Sequence, residues 1–480
     1  MNFFKIPVFL FILFTIISCS EKEPTPENIE VQDFIWKGLN AYYLWQDQIS
    51  DLSDRRFSSD QQLYKYLSGF NDNQNLFNSL LKTNDDRSIL IDDYTTLETP
   101  IRNTVTNGVE FGIIAKTSIT KNVIGYVTHI LPNSDAATKS ISRGDFFYAV
   151  NNTQLTRDNY LSLLNENTLT LEMADFDGTN VIPNSKKVTL VKQQYDFPAV
   201  FLEKVITNGT DKIGYLAYNN DFSSNYLKDL NTTFSNFKSQ SVNELIIDLR
   251  YNIGGGSFAK NITKIASMIT GQFKDEVFIK EQWNTKAQSW FEVNQPDSLN
   301  TTFTDKLNKN SAINSLNLTD LYIILNGEEF TGSPATELLI NSLKPYINVH
   351  IVGRQTSGNN TGSIILYNSE DYDFENRNIK HTFALKPIVL KFLNKDKETY
   401  DNGFAPNIEL CPNEDVLNLG VLGENTDPIL NRVINYISNG SSSPIPLCNP
   451  NNFDFLYNSI NPQRNWNQNV TITQNLPNTN

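Results

Sequence analysis

A chain of 480 residues is too long for one ordinary domain and suits about three. An apolar fraction of 39%, with 30 Phe and 20 Tyr, is enough for real cores. The net charge of −14 argues against nucleic acid or an anionic membrane surface as partner and describes a soluble, self-repelling exterior.

At the N-terminus Lys5 precedes an almost unbroken apolar run, Ile6 to Ile17. The run has the length of a signal h-region and falls short of the ~20 residues that cross a bilayer. It ends in Ile16-Ile17-Ser18-Cys19, which resembles a bacterial lipobox. Residues 1–19 then read as a lipoprotein signal peptide, with Cys19 as the lipidated first residue of the mature chain. The plainer alternative is a secretory signal with an incidental Cys; small Ser18 and the lack of an Ala-x-Ala site favour lipidation. The expected location is the cell envelope, with membrane contact through the lipid anchor alone. Residues 20–30 (SEKEPTPENIE) are a polar linker, and their acidic start resembles the export tags of surface lipoproteins.

From Val31 the apolar residues Phe34, Ile35, Leu39, Tyr42 and Tyr43 recur at helical spacing. A second helix is expected over 61–70, and residues 31–100 read as a helical N-terminal domain. Short β-type runs follow at Phe111–Ile114, Val123–Leu131, Phe146–Val150, Leu169–Ala174 and Val188–Val191, with one helix near Asp158–Leu164. They define a β-domain over 105–195.

Over 200–412 apolar strands alternate with helices, the pattern of an α/β core on a largely parallel sheet. Ile213–Ala217 and Leu245–Leu249 are expected strands, and the second runs into Arg250-Tyr251-Asn252-Ile253-Gly254-Gly255-Gly256. Helices are expected over 222–237 and 259–268. The polar stretch 270–315 reads as a hairpin-like insertion carrying Trp283 and Trp290. Then comes LNGEEFTGSPATELLINSLKPYINVHIVGRQTSGNNT, residues 325–361. Here a strand ends in a polar turn, a helix starts near Ser333, and a second strand, Val349–Val352, ends in the turn at Gly358. Chemistry in α/β proteins sits where such strands end. Residues 413–480 form a C-terminal extension whose tail from Cys448, rich in Asn, Gln and Pro, reads as irregular or disordered.

Cys411 and Cys448 either close one disulfide in an oxidising envelope or remain two thiols. No Cys-x-x-Cys or His/Cys cluster is present. His129, His350 and His381 are scattered, and the first two read as strand residues, so no metal site is expected.

Four motifs carry family resemblances. LPNSDAATKSISRGDFFYAVNNTQL resembles a PDZ domain, departing at Asp135, where Pro is usual, and Asn152, where Gly is usual. IDLRYNIGGG, with VGRQTSGNN and NGFAPN, resembles the carboxyl-terminal processing (tail-specific) serine protease family, in the form common among Bacteroidetes lipoproteins. The resemblance covers residues 31 to 412. It implies a multidomain α+β protein: a helical N-terminal domain, a PDZ-like β-domain and an α/β, crotonase-like protease core, with no cofactor. The implied partners are extended polypeptides or protein C-termini. The family's chemistry needs a Ser nucleophile and a Lys base of lowered pKa, with backbone N–H groups holding the oxyanion.

Carried over by motif, the Ser position falls on Pro334 and the Lys position on Asn359, 25 residues apart as the family spacing requires. Pro has no nucleophile, and an Asn amide is no general base. The frame around them is kept: Gly254, Gly255 and Ala335 on the oxyanion side, and Glu337. Arg354 stands where the family usually has Glu. Ser333 is the displaced nucleophile candidate, but Ser before Pro is also a favoured helix start. Lys344, Lys380, Lys386 and Lys391 lie outside the dyad position. Two readings follow: a non-catalytic homologue that keeps peptide binding, or an active peptidase using Ser333. A glycan-binding lipoprotein would suit the many Tyr and Trp but leaves LRYNIGGG unexplained.

Overall fold

In the computed structural model, residues 25–98, 103–116, 119–254, 257–325, 332–411, 415–440, 453–460, 469–472 and 476 are described. Cys19, Gly255 and Cys448 lie outside them.

The core is a six-stranded sheet ordered Leu202–Asn208, Asp211–Ala217, Glu244–Asp248, Asp320–Ile324, Asn348–Gly353, Ile408–Glu409. Its first pair is antiparallel and the rest are parallel. The central strands are continuous apolar runs because both faces are covered. Leu216, Ile247 and Ile323 pack toward one hydrophobic cluster, while Ile213, Ile246 and Ile324 pack toward another. The helices Leu227–Ser239, Ala259–Ile269 and Pro334–Leu343 feed the first, and Pro428–Asn439 covers the second. Every residue of Pro334–Leu343 is buried, so this helix runs through the interior.

The N-terminal helices are Glu30–Tyr42, Asp60–Leu67 and Asn73–Ser79. Their Phe34, Leu39, Tyr42, Leu67 and Phe77 belong to the same hydrophobic cluster as the core. Asn284 Nδ2 donates to Ala41 O (2.8 Å) and Tyr43 O (3.2 Å), tying the two parts together. This region is therefore continuous with the core in packing.

The hairpin-like insertion expected over 270–315 has its antiparallel pair, but it is built into the core and carries a helix between its strands. Val277–Trp283 lies inside a five-stranded sheet, between Asn300–Thr302 and Ile388–Leu393, and Trp290 sits on the helix Thr285–Asn294. Phe278, Ile279 and Trp283 are buried; the intervening polar residues hide the strand in a composition reading. The tail is a second correction. Asp454–Asn458 and Val470–Thr471 are strands paired with two different sheets. Its low charge and Asn content resemble a disordered tail, but Phe453 and Phe455 pack with Ile114, Tyr126 and Phe146, and Val470 and Ile472 are buried in the core.

The middle domain is a mainly antiparallel sheet of Asp454–Asn458, Val109–Ala115, Ile124–Ile130, Phe146–Val150, Thr168–Phe176 and Val181–Val191, with Thr153–Gln154 paired to Phe146–Val150. Asn151 (φ 51°) and Asn152 (φ 61°) turn the chain in left-handed conformation, which Asn adopts more readily than most residues. Asp135 accepts a hydrogen bond from Val191 N–H (2.9 Å).

Lys386 lies 7% exposed on the strand Ala384–Lys386, opposite Ile89. Burial pushes its amine down to about 8. A depressed folded value means that stability is fully present above the ordinary value near 10.5 and is lost as pH falls toward 8. Lys386→Met is expected to raise stability at pH 7 by up to about 3 kcal/mol and to flatten the dependence between pH 8 and 10.5. Thermal melts at pH 7 and pH 10 read both effects.

Candidate active site

The parallel strands deliver three turns to one edge of the sheet. Leu249 N–H donates to Ile324 O (2.9 Å) and Leu325 N–H to Val352 O (2.8 Å). The Gly-rich turn after 248, the helix start at 333 and the turn after 353 therefore leave adjacent strands side by side.

Asp248-Leu249-Arg250 is the anchor of the first turn. Arg250 is fully buried, with Nη2 2.6 Å from Asp248 Oδ2 and 2.5 Å from Asp427 Oδ2. Tyr215 Oη donates to Asp248 (2.6 Å). Burial alone would raise the Asp248 carboxyl, but the Arg250 charge and its hydrogen bonds hold it below the ordinary value. Burial likewise works against the Arg250 cation, and Asp248 and Asp427 outweigh it, so the guanidinium stays charged. Asp427 also caps the Pro428–Asn439 helix, accepting from Ile429 and Leu430 N–H. Asp427 was missed in the sequence, although Asp-Pro before an amphipathic run is a helix-start signal.

Asn252 shapes the turn. Its Nδ2 donates to Tyr218 O and Asn220 O, and its Oδ1 accepts from Gly254 N–H at 2.8 Å. Gly254 (φ 64°) thus spends its amide inside the turn rather than offering it to an oxyanion.

Ser333 is the N-cap of the Pro334–Leu343 helix. Its Oγ accepts from Thr336 N–H (3.2 Å) and lies 3.0 Å from Thr336 Oγ1; the residue is 1% exposed. Pro334 occupies the first helical position, where its missing N–H costs nothing. Glu337 N–H bonds Ser333 O, which leaves Ala335 N–H as the first-turn donor that the helix does not use. Ser333→Ala is expected to cost about 1 kcal/mol of stability, the ordinary value of a cap, read by urea unfolding.

Glu337, fully buried, reaches the third turn. Its carboxylate accepts from Gly358 N–H (2.7 Å), Asn359 N–H (2.8 Å) and Ser357 Oγ–H (3.1 Å). The turn is clamped from outside by residues 400–404. Phe404 N–H donates to Thr356 Oγ1, and a Cβ on Gly358 (φ 83°) would stand 2.4 Å from Asp401 O. Tyr400 stacks on Phe404, and burial, with Glu337 and Asp401 nearby, pushes its hydroxyl well up.

Asn359 is 2% exposed. Its Oδ1 lies 2.9 Å from Thr361 Oγ1, and its Nδ2 donates to Asn469 Oδ1 (3.4 Å). The four lysines are engaged elsewhere: Lys344 lies over the Phe404 ring, Lys380 pairs with Glu27, Lys391 with Asp401, and Lys386 lies in the sheet opposite Ile89. Among the described residues no Lys amine is hydrogen-bonded to Ser333.

Residues 30–95 match the Peptidase S41 N-terminal domain, and residues 212–410 match Peptidase family S41. The chain belongs to peptidase family S41. A Bacteroides fragilis NCTC 9343 protein assigned to the S41 proteases is similar in fold, with a TM-score of 0.65 at 20% identity, covering 88% of this chain and 99% of its own. Looser likenesses are the photosystem II D1 C-terminal processing protease (TM-score 0.45, 16% identity, 84% of this chain and 100% of that one) and mature CPAF (0.38, 13%, 86% and 97%). No curated protein matches by sequence. The S41 match ends at 410, one residue before Cys411, which is disulfide-bonded. Cys448, its expected partner, lies outside the described residues.

Proposed function

We propose that this S41 chain is a non-hydrolysing member that binds extended polypeptide, held in the cell envelope by lipid on Cys19. The observation that carries it is the state of the two dyad positions. Pro334 has no hydroxyl and Asn359 no amine, while the neighbouring Ser333 Oγ is a buried helix cap turned toward Thr336 N–H. Among the described residues no base is hydrogen-bonded to this serine, and its lone pair already serves the helix. The lipobox-like Ile17-Ser18-Cys19 supports the anchor.

The middle domain supports the binding half of the proposal. Its sequence resembles PDZ, and PDZ domains take a peptide as an added strand on a sheet edge. Val109–Ala115 is the strand of this sheet that faces the short helix Tyr160–Leu164 across a cleft of about 420 Å³, lined by Val109, Phe111, Tyr160 and Leu164 and, from the C-terminal extension, by Tyr457 and Ser459. Arg143, in the same domain, hydrogen-bonds Tyr251 Oη beside the Gly-rich turn. The two halves of the proposed site are thus in contact.

The test is turnover of an unfolded protein substrate by the chain freed of residues 1–19. The expected result is no cleavage above background and no change on Ser333→Ala. Robust cleavage abolished by Ser333→Ala would overturn the proposal and establish the displaced-serine reading.

A further inference from the structure

The segments of the C-terminal extension described at 453–460 and 469–472 do what an extended ligand would do, at both places where one would bind. Asp454–Asn458 pairs antiparallel with Val109–Ala115, with Asp454 opposite Ala115 and Asn458 opposite Gly112. Ser459 N–H donates to Phe111 O, and Ser459 Oγ accepts from Phe111 N–H, both at 2.9 Å. Tyr457 packs between the rings of Phe111 and Tyr160, the strand and the helix that flank the cleft. The segment runs toward the Asn107–Gly108 end of the strand, the direction of a peptide approaching with its C-terminus.

The second piece enters the dyad frame. Val470–Thr471 pairs parallel with Thr361–Ser363, which begins two residues after Asn359. On its other side Thr471 bridges Phe258, and Thr471 N–H donates to Ser257 O (2.8 Å), just past the Gly-rich turn. Ile472 N–H donates to Ser363 O (3.0 Å), and Asn469 Nδ2 donates to Ser363 Oγ (2.9 Å). Asn469, Val470, Thr471 and Ile472 are at most 5% exposed. This segment lies between the turn that would hold an oxyanion and the turn that would carry the base.

We infer that the C-terminal extension is a built-in ligand: it occupies the peptide edge of the middle domain and the groove of the S41 frame, so a peptide arriving in trans must displace it. The inference rests on the peptide-binding reading above and adds its regulation. A tethered competitor acts at an effective concentration in the millimolar range, so the resting chain binds free peptide weakly until the tail is released.

The test uses the full chain in mild detergent, with the double variant Phe455→Asp/Tyr457→Asp and the gentler Ser459→Ala. Val470→Asp addresses the second segment. The probe is a fluorescein-labelled peptide with the sequence of residues 453–460, FDFLYNSI. The expected result for the double variant is at least tenfold tighter probe binding, with at least tenfold faster hydrogen exchange of the 109–115 amides. Ser459→Ala, which leaves the packing intact, should tighten binding two- to fivefold. Val470→Asp should speed exchange at 361–363. Exchange at 109–115 or 361–363 that does not change in the matching variant overturns the occupancy at that place. Faster exchange without a gain in probe binding overturns the competition and, where no chain binds the probe, the peptide-binding reading itself. Exchange does not depend on whether any peptide binds, so the two failures leave different records.

Discussion

Arg250→Ala is expected to cost about 3–5 kcal/mol. The arginine is the one cation between two buried carboxylates, Asp248 and Asp427, at 0%, 3% and 0% side-chain exposure for Arg250, Asp248 and Asp427. Removing it leaves two like charges in low dielectric and frees the cap of the Pro428–Asn439 helix from the end of the Glu244–Asp248 strand. Arg250→Lys should recover less than half of the loss, because one ammonium cannot reproduce the fork that serves both carboxylates. The sign of the pH dependence separates charge from packing. In the wild type the Asp248 carboxyl is held low, so its contribution is present above the ordinary value of 3.8 and is lost as pH falls through the folded value. In Arg250→Ala the Asp248 carboxylate stays buried without its cation and burial alone raises it, so the variant gains stability as pH falls. The deficit should therefore narrow in acid; urea midpoints at pH 7 and pH 4.5 measure it. A deficit unchanged with pH would mean that Arg250 acts by filling space.

How far the sequence reaches depends on how local the signal is. The Ser333-Pro334 start is legible because a cap and an N1 proline act within one turn, and the structure has Ser333 Oγ on Thr336 N–H. Strands such as Glu244–Asp248 and Asp320–Ile324 are legible because burial on both faces makes them continuous apolar runs. The Val277–Trp283 strand is not, because Lys280 and Gln282 interrupt it, and only pairing to Ile388–Leu393 shows that its Phe278, Ile279 and Trp283 are core. The tail hides its strands for a related reason. Asn469 looks like one more residue of a low-complexity end, yet its amide meets Asn359 and Ser363 across 110 and 106 residues of sequence. Gly254 marks a third limit. A glycine in LRYNIGGG predicts a turn, but which way its N–H points is decided by Asn252 Oδ1, whose side chain is fixed by Tyr218 O and Asn220 O.

Glu337→Ala is expected to lose about 3–4 kcal/mol and to loosen the 353–361 turn without altering the helix that carries it. The carboxylate is fully buried and is the acceptor for three donors in consecutive residues, Ser357, Gly358 and Asn359. Each buried donor left unmet costs about 1–3 kcal/mol, less for Ser357, which is exposed. Glu337→Gln is the informative companion. Oε1 serves Gly358 N–H and Oε2 serves Asn359 N–H and Ser357, so whichever oxygen becomes an NH2 places a donor against a donor. The amide should therefore cost about 2 kcal/mol although its shape is conserved. Hydrogen exchange at Gly358 and Asn359 should rise in both variants, and in Glu337→Ala by more. If Glu337→Gln matched the wild type in urea, one oxygen would suffice and the turn would be held chiefly from the 400–404 side. The outcome bears on the dyad position directly. In this chain Glu337 holds the backbone of Asn359 rather than its side chain, so the frame survives intact around a residue that cannot act as a base.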